Sequence, residues 1–499
     1  MKLQQYVTME FNLLSHQLPH FERIMDIIER ERGYIDTSTM GCGKTYVTCK
    51  VADVLNLKIL VICPKTVKPV WKNVATKAGV EVIDLLTYQG TSSRLTKQPQ
   101  HGFLHKYQKT IKKKKENFFN ITEKYKKLLE TGILLVVDEV QFTRNNTAQH
   151  RAVQTLVRGI SCNTKCKSKY AILSATPFDK SSQSINLMKT LGVIQQGELF
   201  LKNNPTGWTE LLNYCKEKRP QTTQAIIEFM ERKEKKRGKK YYQECAYGFY
   251  SEIVRKQFCS AMPLKIDAVC DAKNGYYNLE KDKQKPMEEA LEQMKSAVCK
   301  MADPTNLNRF SLYGELQRAL VKIETYKTSI FIRLAKSYLK FTPNCKVVIC
   351  VNYLHNMETI RRGMRRYNPL LLHGSLNEEE REEIINEFQN NGKRVLISIT
   401  KVGGVGISLH DTEGDAPRVM LLSPTFNLVD TYQATGRVFR VGTKSNTIVR
   451  MVYANVKDNT ESSILRVLIR KSKVLRNILE EYTRNNVILP IDYKKVVEM

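Results

Sequence analysis

The sequence predicts an α/β protein with two lobes, each built on a parallel sheet covered by helices. Two observations predict this class. Short continuous apolar runs that end in polar residues recur up to about residue 195 and again after about residue 306. Runs of this kind are typical of strands that are buried on both faces, as in parallel sheets. Between 196 and 305 the strand-like runs vanish while charged and helix-forming residues increase, which indicates a helical insertion.

The domain organisation follows from the positions of these runs. A length of 499 residues allows about three domains, each with its own core. We assign residues 1–195 to the first lobe, 196–305 to a helical insertion or linker, 306–455 to the second lobe, and 456–499 to a C-terminal helix packed on its own lobe. The runs assigned to strands are 34–36, 58–63, 133–137, 170–173, 346–351, 394–398 and 418–422.

The charge balance favours a polyanionic partner. Lys and Arg total 80 against 50 Asp and Glu, a formal net charge of +30. Nucleic acid is the first expectation for this partner, and a membrane surface is the second. The chain has no apolar stretch of about 18 residues and no apolar secretory signal, and its twelve cysteines are scattered without paired spacing. We therefore expect a soluble, intracellular protein in a reducing compartment, cytoplasm or nucleus, with no membrane partner and no zinc site.

Two lysine-rich stretches, 94–127 and 232–240, leave three interpretations open. Each stretch is a solvated loop, a contact to phosphate groups, or a nuclear import signal. The first contains four consecutive lysines at 112–115. Composition alone does not choose among these interpretations.

A glycine-containing loop predicts a phosphate-binding site. It follows the strand-like run 34–36 and precedes a helical stretch. Gly41 and Gly43 let backbone N–H groups turn toward phosphate oxygens at a helix start. Lys44 would reach the β and γ phosphates of ATP, and the Thr45 hydroxyl would bind Mg²⁺. The nucleotide-binding residues of the loop are Thr39, Met40, Gly41, Cys42, Gly43, Lys44 and Thr45.

An acidic pair predicts the catalytic carboxylates. The apolar run 133–137 ends in Asp138 and Glu139. Open α/β sheets bind ligands at the carboxyl ends of their strands. Asp138 would hold Mg²⁺ through its hydration shell, and Glu139 would orient or deprotonate the attacking water. An acidic pair after a strand can also cap a helix, but its position after a phosphate loop favours the catalytic interpretation. The expected cofactors are ATP and Mg²⁺.

At this point the chain resembles the superfamily 2 helicases and translocases, whose two lobes are RecA-like. Gln17 resembles the Q motif that reads adenine. Pro64 and Lys65 resemble the strand-binding motif that follows the phosphate loop. Ser174 and Thr176, in the sequence Ser-Ala-Thr-Pro, resemble the motif that couples the ATP state to the grip on nucleic acid. The resemblance implies two tandem RecA-like lobes.

Two further motifs of this superfamily have counterparts near the C-terminal end. The stretch 400–409 is similar to motif V, and 433–440 is similar to motif VI. The resemblance assigns Gly406 to nucleotide binding, and it assigns coupling and nucleic-acid contacts to Gln141, Gly374, Ser375, Thr400 and Gly403. It assigns catalytic roles to Gln433, Arg437 and Arg440. The two arginines would neutralise charge on the γ phosphate, so hydrolysis is expected when the lobes close.

Within the superfamily, the chain resembles the Swi/Snf-type branch and helicase-like proteins of large DNA viruses. It departs from the usual pattern at three places. Ser38 stands where the phosphate loop usually begins with glycine, and Gln141 stands where the branch usually has histidine. The segment 410–417 is longer and more acidic than usual, which puts a ribose contact there in doubt.

The function expected from this resemblance is a nucleic-acid-dependent ATPase. It would translocate along duplex DNA as a monomer and remodel or release transcription complexes. Single-stranded DNA and RNA remain alternative substrates, and a strand-separating DNA or RNA helicase is the alternative enzyme. An inactive, ATP-controlled binding scaffold is a third interpretation. For a viral protein, the expected location is the host cytoplasm or the virion.

Overall fold

The structure is a computed structural model. It describes residues 11–93, 97–111, 113–163, 166–195, 206–234, 238–263, 266–302, 309–390, 392–401, 407–456, 461–479 and 497–498. The chain divides into two compact units. The first is Met1–Leu264 with Lys473–Asn485, and the second is Lys265–Ser472 with Asn486–Met499. The predicted fold class is confirmed: each unit contains a parallel sheet covered by helices, as in tandem RecA-like lobes.

The first unit begins with alternating helices and strands and continues with consecutive helices. Its elements are α1 (Leu18–Arg30), β1 (Gly33–Asp36), α2 (Lys44–Val54), β2 (Lys58–Ile62), α3 (Lys68–Lys77), β3 (Val82–Leu86), α4 (Tyr88–Ser92), β4 (Leu104–Ile111), β5 (Lys114–Ile121), α5 (Glu123–Thr131), β6 (Ile133–Asp138), α6 (Ala148–Ser161), β7 (Lys169–Leu173), α7 (Ser184–Leu191), α8 (Thr206–Lys218), α9 (Pro220–Lys233), α10 (Lys239–Phe249), α11 (Arg255–Phe258) and β8 (Cys259–Ser260).

The first sheet has the order β3-β2-β6-β7-β1-β8, and its neighbouring strands are parallel. β6 is buried along its whole length, as its continuous apolar run predicts, and the short strand β1 is buried as well. Because all six strands run in one direction, their carboxyl ends lie at one edge. The phosphate loop follows β1 and the acidic motif follows β6, so both lie at this edge.

A two-stranded hairpin lies outside this sheet. β4 and β5 pair with each other in antiparallel register, from Leu104 opposite Ile121 to Ile111 opposite Lys114. The hairpin occupies most of the first lysine-rich stretch, for which a loop was one of the open interpretations. Its functional interpretation is argued below.

The second unit repeats the alternation of strands and helices. Its elements are β9 (Cys270–Asn278), α12 (Lys281–Ala302), α13 (Arg309–Tyr326), α14 (Thr328–Phe341), β10 (Lys346–Val351), α15 (Leu354–Gly363), β11 (Leu370–Leu372), α16 (Glu378–Asn390), β12 (Val395–Ile399), β13 (Arg418–Leu422), α17 (Leu428–Val438), β14 (Thr447–Asn455), α18 (Ser462–Ile478) and β15 (Val497–Glu498).

The second sheet has the order β11-β12-β10-β13-β14-β9-β15, again with parallel neighbours. The three strands predicted from apolar runs, β10, β12 and β13, lie next to one another in its interior. A helix, α18, lies in the predicted C-terminal helical region, and its residues from Lys473 onward belong to the first unit. In the part of the chain that the structure describes, no helix is long and apolar enough to cross a membrane.

The stretch 196–305 contains the expected helices, α8 to α12, together with two strands. β8 pairs with β1 in the first sheet, and β9 pairs with β14 in the second. Neither strand has a continuous apolar run: β8 has two residues, and β9 reads CDAKNGYYN. Their pairing depends on distant strands, so the local pattern does not reveal them. The lobe boundaries drawn from the sequence remain predictions.

A buried ion pair joins three elements of the second unit. The Lys327 ammonium, at the start of α14, donates to the Glu461 carboxylate just before α18, and each side chain is 1% exposed. Lys327 also donates to the Val452 carbonyl at 3.1 Å, and Glu461 accepts the Ala454 N–H at 3.1 Å. The pair therefore ties both helices to β14.

We expect Glu461→Ala to destabilise the second unit by about 3–5 kcal/mol, because it leaves the Lys327 charge buried without its partner. Urea unfolding of the full chain, with hydrogen exchange followed in β14, measures the loss. The double variant Lys327→Met with Glu461→Leu should recover most of it.

The matched control is Glu292→Ala on α12, which removes the partner of Lys295 in an exposed pair and should change little. Equal stability of Glu461→Ala and this control would contradict the prediction.

Candidate ATP-binding site

The phosphate loop is closed by backbone conformations that glycine permits. Gly41 and Gly43 have φ angles of 85° and 90°, in the left-handed region where other residues are strained. A Cβ atom at Gly43 would lie 2.4 Å from the Gln17 side-chain nitrogen. Gly43 directly precedes α2, so the loop's N–H groups lie at the positive end of a helix.

Two side chains hold this loop from either side. The Lys44 ammonium donates to the carbonyls of Ser38 and Thr39, both at 3.0 Å. The Gln17 amide donates to the Cys42 carbonyl at 3.1 Å, and its oxygen accepts the Leu14 N–H at 3.0 Å. Gln17 therefore lies beside the loop, which is the position expected for an adenine-reading residue.

Ser38 has a structural role that explains why it replaces glycine at the start of the loop. Its hydroxyl oxygen accepts the Met262 N–H at 2.9 Å. The neighbouring Thr37 N–H donates to the carbonyl of Ser260 in β8 at 2.9 Å. The loop is thus fastened to the strand that extends the sheet beyond β1.

A buried cluster beneath the loop was not predicted from the sequence. The His20 Nε2 atom lies 3.0 Å from the Asp36 carboxylate, and its Nδ1 atom lies 2.8 Å from the Ser260 hydroxyl. Burial raises the pKa of Asp36, but the His20 ring, the Lys44 charge and the Ser38 N–H lower it, and the net pKa is below its ordinary value. An aspartate at the carboxyl end of a buried strand was the only signal in the sequence.

The acidic motif is desolvated at the end of β6. Burial raises the pKa of Asp138, although a hydrogen bond from the Trp71 indole at 2.9 Å and the charge of Lys44 lower it in part. The Tyr88 hydroxyl donates to the Asp138 carbonyl at 2.6 Å. The charge of Lys44 acts on both Asp138 and Glu139, so the phosphate loop and the acidic motif lie close together in the first unit.

Glu139 has the properties of a general base near neutral pH. Burial and the charge of Asp138 raise its pKa to about 7, while the hydrogen bond from Gln141 and the charge of Lys44 oppose this shift. Its φ angle of 61° is unusual for a residue with a side chain. A carboxylate with a pKa near the working pH is well suited to accept a proton from water.

A chain of hydrogen bonds leads from Glu139 to the Ser-Ala-Thr-Pro motif. The Gln141 amide donates to the Glu139 carboxylate, and its oxygen accepts the Ser174 hydroxyl at 2.6 Å. The Ser174 oxygen in turn accepts the Thr176 N–H at 2.9 Å. Gln141, Ser174 and Thr176 are all buried. The glutamine that departs from the family pattern therefore bridges two motifs with one amide group.

The residues predicted to contact nucleic acid lie at strand ends in both units. Pro64 and the exposed Lys65 follow β2 at the same edge of the sheet as the phosphate loop. Gly374 and Ser375 follow β11 and are exposed. Gly403 and Gly406 lie outside the described residues.

The second unit contains a buried arginine with unpaired nitrogen atoms. Arg437 lies on α17, is 3% exposed, and donates one hydrogen bond, to the Thr400 carbonyl at 3.1 Å. Its Nε and Nη1 atoms have no partner among the described residues. Burial lowers the pKa of this guanidinium. Unpaired buried donors are costly, so they indicate a site that an anion completes.

Arg440 has a different environment, although it lies only three residues later. It is partly exposed and donates to the Ser408 hydroxyl at 2.8 Å. Gln433, also on α17, is buried. In the acidic segment 410–417, the Asp411 carboxylate accepts the N–H groups of Glu413, Gly414 and Ala416. The Asp411 carboxylate therefore stabilises the conformation of its own loop through these hydrogen bonds.

The donor set fits a nucleoside triphosphate with its metal. The phosphate loop supplies N–H groups, a lysine and the Thr45 hydroxyl, and β6 supplies two carboxylates at the same edge. In the second unit, taken by itself, the unpaired guanidinium nitrogens of Arg437 suit the oxygens of an anion such as phosphate, which arginine contacts in pairs.

Comparisons with known proteins agree with this geometry. Residues 327–442 match the family described as the helicase conserved C-terminal domain. Over 472 residues the chain is 25% identical to L364 of Acanthamoeba polyphaga mimivirus, named as a candidate ATP-dependent RNA helicase; this covers 92% of the chain and 82% of that protein. The resemblance to superfamily 2 helicases, to the Swi/Snf-type branch and to helicase-like viral proteins is confirmed. The chain is an ATP-hydrolysing enzyme.

Two further similarities are narrower or weaker. The chain is 29% identical over 127 residues to transcription termination factor 2 of Drosophila melanogaster, which covers 25% of this chain and 12% of that protein. It also aligns with a solved Sulfolobus solfataricus SWI2/SNF2 ATPase core in complex with dsDNA. That alignment has a TM-score of 0.31 and 18% identity, and it covers 96% of this chain and 97% of the other.

With Glu139 as the expected base, its pKa predicts the pH dependence of ATP hydrolysis. A base acts in its deprotonated form, so kcat/KM should rise with pH below about 7 and level off above it. Gln141→Ala removes one of the two groups that lower the pKa of Glu139, so the midpoint should move to higher pH. Steady-state ATPase assays across a pH series measure both midpoints.

The matched control is Gln224→Ala, which removes a hydrogen bond of the same kind between exposed residues, at 2.8 Å to Glu228. Its pH midpoint should equal that of the wild type. A flat profile around neutral pH, or one that Gln141→Ala leaves in place, would contradict the assignment of Glu139 as the base.

Proposed function

We propose that this superfamily 2 enzyme is a nucleic-acid-dependent ATPase that translocates along duplex DNA. The observation that carries the proposal is the hydrogen-bond chain from Glu139 through Gln141 to Ser174 and Thr176. It joins the carboxylate that would activate water to the motif that would respond to nucleic acid. A shift of Thr176 at one end of this chain would change the orientation of Glu139 at the other. Hydrolysis would therefore depend on the bound nucleic acid.

The residues of the first unit would bind the nucleotide and activate water. ATP supplies the transferable phosphoryl group, and Mg²⁺ supplies charge that offsets its negative oxygens. Lys44 and the loop N–H groups would bind the phosphates, and Gln17 would read adenine. Thr45 would hold the metal directly, and Asp138 would hold it through water. Glu139 would accept the proton of the attacking water.

The second unit would supply the remaining positive charge. Arg437 and Arg440 would neutralise charge on the γ phosphate when the lobes close, with Gln433 beside them. An arginine in this role accelerates hydrolysis by about 10³ to 10⁵. Gly406 would complete the nucleotide contacts of this lobe.

Nucleic acid would be held mainly through its phosphate backbone. The net charge of +30 supports this, as does the exposure of Lys65, Gly374 and Ser375 at strand ends. Thr400 and Gly403 would couple this grip to the nucleotide. Phosphate contacts carry no base information, so binding should show low sequence preference and fall steeply with salt.

Duplex DNA is proposed as the track because the motif set follows the Swi/Snf-type branch. The name of the Drosophila relative supports a role in releasing transcription complexes, with the transcription machinery as partner. The name of the viral relative supports a second candidate, a strand-separating RNA helicase in host cytoplasm or virion. We propose a monomer in either case.

Duplex DNA should stimulate phosphate release by the purified chain more than single-stranded DNA or RNA does, because the grip on the track is what closes the site. Parallel ATPase assays with each polymer measure this. Failure of all three to stimulate would reject the proposal.

A labelled duplex with single-stranded tails separates the two candidates. Stimulated hydrolysis without strand release favours the translocase, whereas release of the labelled strand favours the helicase.

Arg437→Ala should lower the stimulated kcat by about 10³ or more, because an uncompensated γ-phosphate charge remains in the transition state. Lys44→Ala should abolish hydrolysis altogether. Arg437→Lys should restore little, since lysine keeps the charge but not the paired geometry.

The control for the arginine series is Arg362→Ala on α15, a residue whose side chain is 76% exposed and which should leave kcat unchanged. Undiminished hydrolysis by Lys44→Ala or Arg437→Ala would show that the site lies elsewhere.

A further inference from the structure

The hairpin formed by β4 and β5 is anchored to α6. Arg151 of α6 donates to the Asn117 carbonyl at 2.7 Å and pairs with Glu116 at 3.1 Å. Leu104 and Phe119, nearer the base, are buried. The hairpin is therefore held by packing near its base and by a hydrogen bond and an ion pair farther along β5.

The distal part of the hairpin is exposed and carries concentrated positive charge. Its exposed cations are Lys109, Lys113, Lys114 and Lys115. Within the described part of the chain, none of these four lysines forms an ion pair. Glu116 is the single acid on the two strands, and Arg151 already neutralises it. Lys112 lies outside the described residues.

The space beside the hairpin adds further cations. A groove of about 470 Å³ lies between the hairpin and the helices next to it, and its lining includes Arg158 and Lys189 as well as the Arg151–Glu116 ion pair. The hairpin and this groove therefore form one continuous basic region, which attracts a polyanion.

The faces of the hairpin distinguish between possible polyanions. In the register of the strands, Lys109 and Lys114 belong to one face, and Lys115 belongs to the other. Cations on both faces of a narrow ribbon suit a groove flanked by two phosphate backbones, and the major groove of B-DNA admits a two-stranded β-ribbon. A flat anionic membrane would meet only one face.

We propose that the β4–β5 hairpin is a second nucleic-acid contact surface, separate from the motor motifs, which binds phosphate backbones through its lysines. This inference rests on the proposed nucleic-acid-dependent function and adds a named surface to it. Its location agrees with that function: the hairpin follows β3, the neighbour of β2 at whose end Lys65 lies. The contact is independent of sequence, because lysine reads phosphate charge alone.

The test is a full-length variant in which the four exposed hairpin lysines are replaced by glutamine. Binding to a short duplex DNA is measured by fluorescence anisotropy across a salt series. Each lost phosphate contact makes the negative slope of log K against log salt shallower by about 0.9. The magnitude of the slope should therefore decrease by about 2 to 4. Affinity in moderate salt should fall by more than about tenfold. Thermal unfolding checks that the variant folds.

Two matched variants locate the effect. Replacement of the same four lysines by arginine keeps the charge and should keep the slope. The second control neutralises four exposed lysines elsewhere in the first unit, and it should keep the slope although its net charge equals that of the hairpin variant: Lys58, Lys167, Lys216 and Lys256.

Each outcome has a defined meaning. A wild-type slope in the glutamine variant overturns the proposal, and so does an equal loss in the second control. A loss of binding to phosphatidylserine vesicles without a loss of DNA binding also overturns it. The wild type is measured first: if no nucleic acid binds or stimulates it, the proposed function itself has failed.

Discussion

The site depends on carboxylates held in a desolvated place beside one lysine. Asp36, Asp138 and Glu139 all respond to the charge of Lys44, and burial opposes the charged form of each. Asp36 stays acidic because His20 and the loop N–H of Ser38 compensate its burial. Asp138 and Glu139 have less compensation, so their pKa values rise. A phosphate-bearing ligand with a divalent metal would change this balance at the sheet edge where the loop and the acids meet.

Hydrogen bonds from neighbouring elements hold Asp138 and the phosphate loop in place at this edge of the first sheet. Trp71 and Tyr88 hold Asp138 from two neighbouring elements, α3 and α4. The phosphate loop is fastened to the segment around β8 through Ser38 and Thr37. The neutral amide of Gln141 links Glu139 to Ser174. An amide donates and accepts at the same time and does not titrate, so this link persists while Glu139 changes its protonation state.

The second unit contains buried charged side chains of two kinds. Lys327 and Glu461 satisfy each other and two backbone groups, so their burial has a structural role. Arg437 is buried with two unpaired nitrogens, so its burial has a cost that the fold does not offset. This contrast separates the structural charges from those that await a ligand. The hairpin shows the opposite arrangement, since Lys109, Lys113, Lys114 and Lys115 are exposed to water, where unpaired charges cost little.

Local pattern determined the features of this protein that depend on neighbours in the chain. Continuous apolar runs identified β1, β2, β6, β7, β10, β12 and β13, because strands buried on both faces need apolar side chains at every position. Two glycines and a lysine identified the phosphate loop, because only glycine adopts its left-handed turns freely. Tertiary structure alone decided the contacts between distant residues. His20 meets Ser260 across 240 positions, β9 pairs with β14 without an apolar run, and a lysine-rich stretch becomes a paired hairpin. These features depend on which surfaces meet after folding. Periodicity along the chain reports only which face of an element is apolar and does not specify its distant partner.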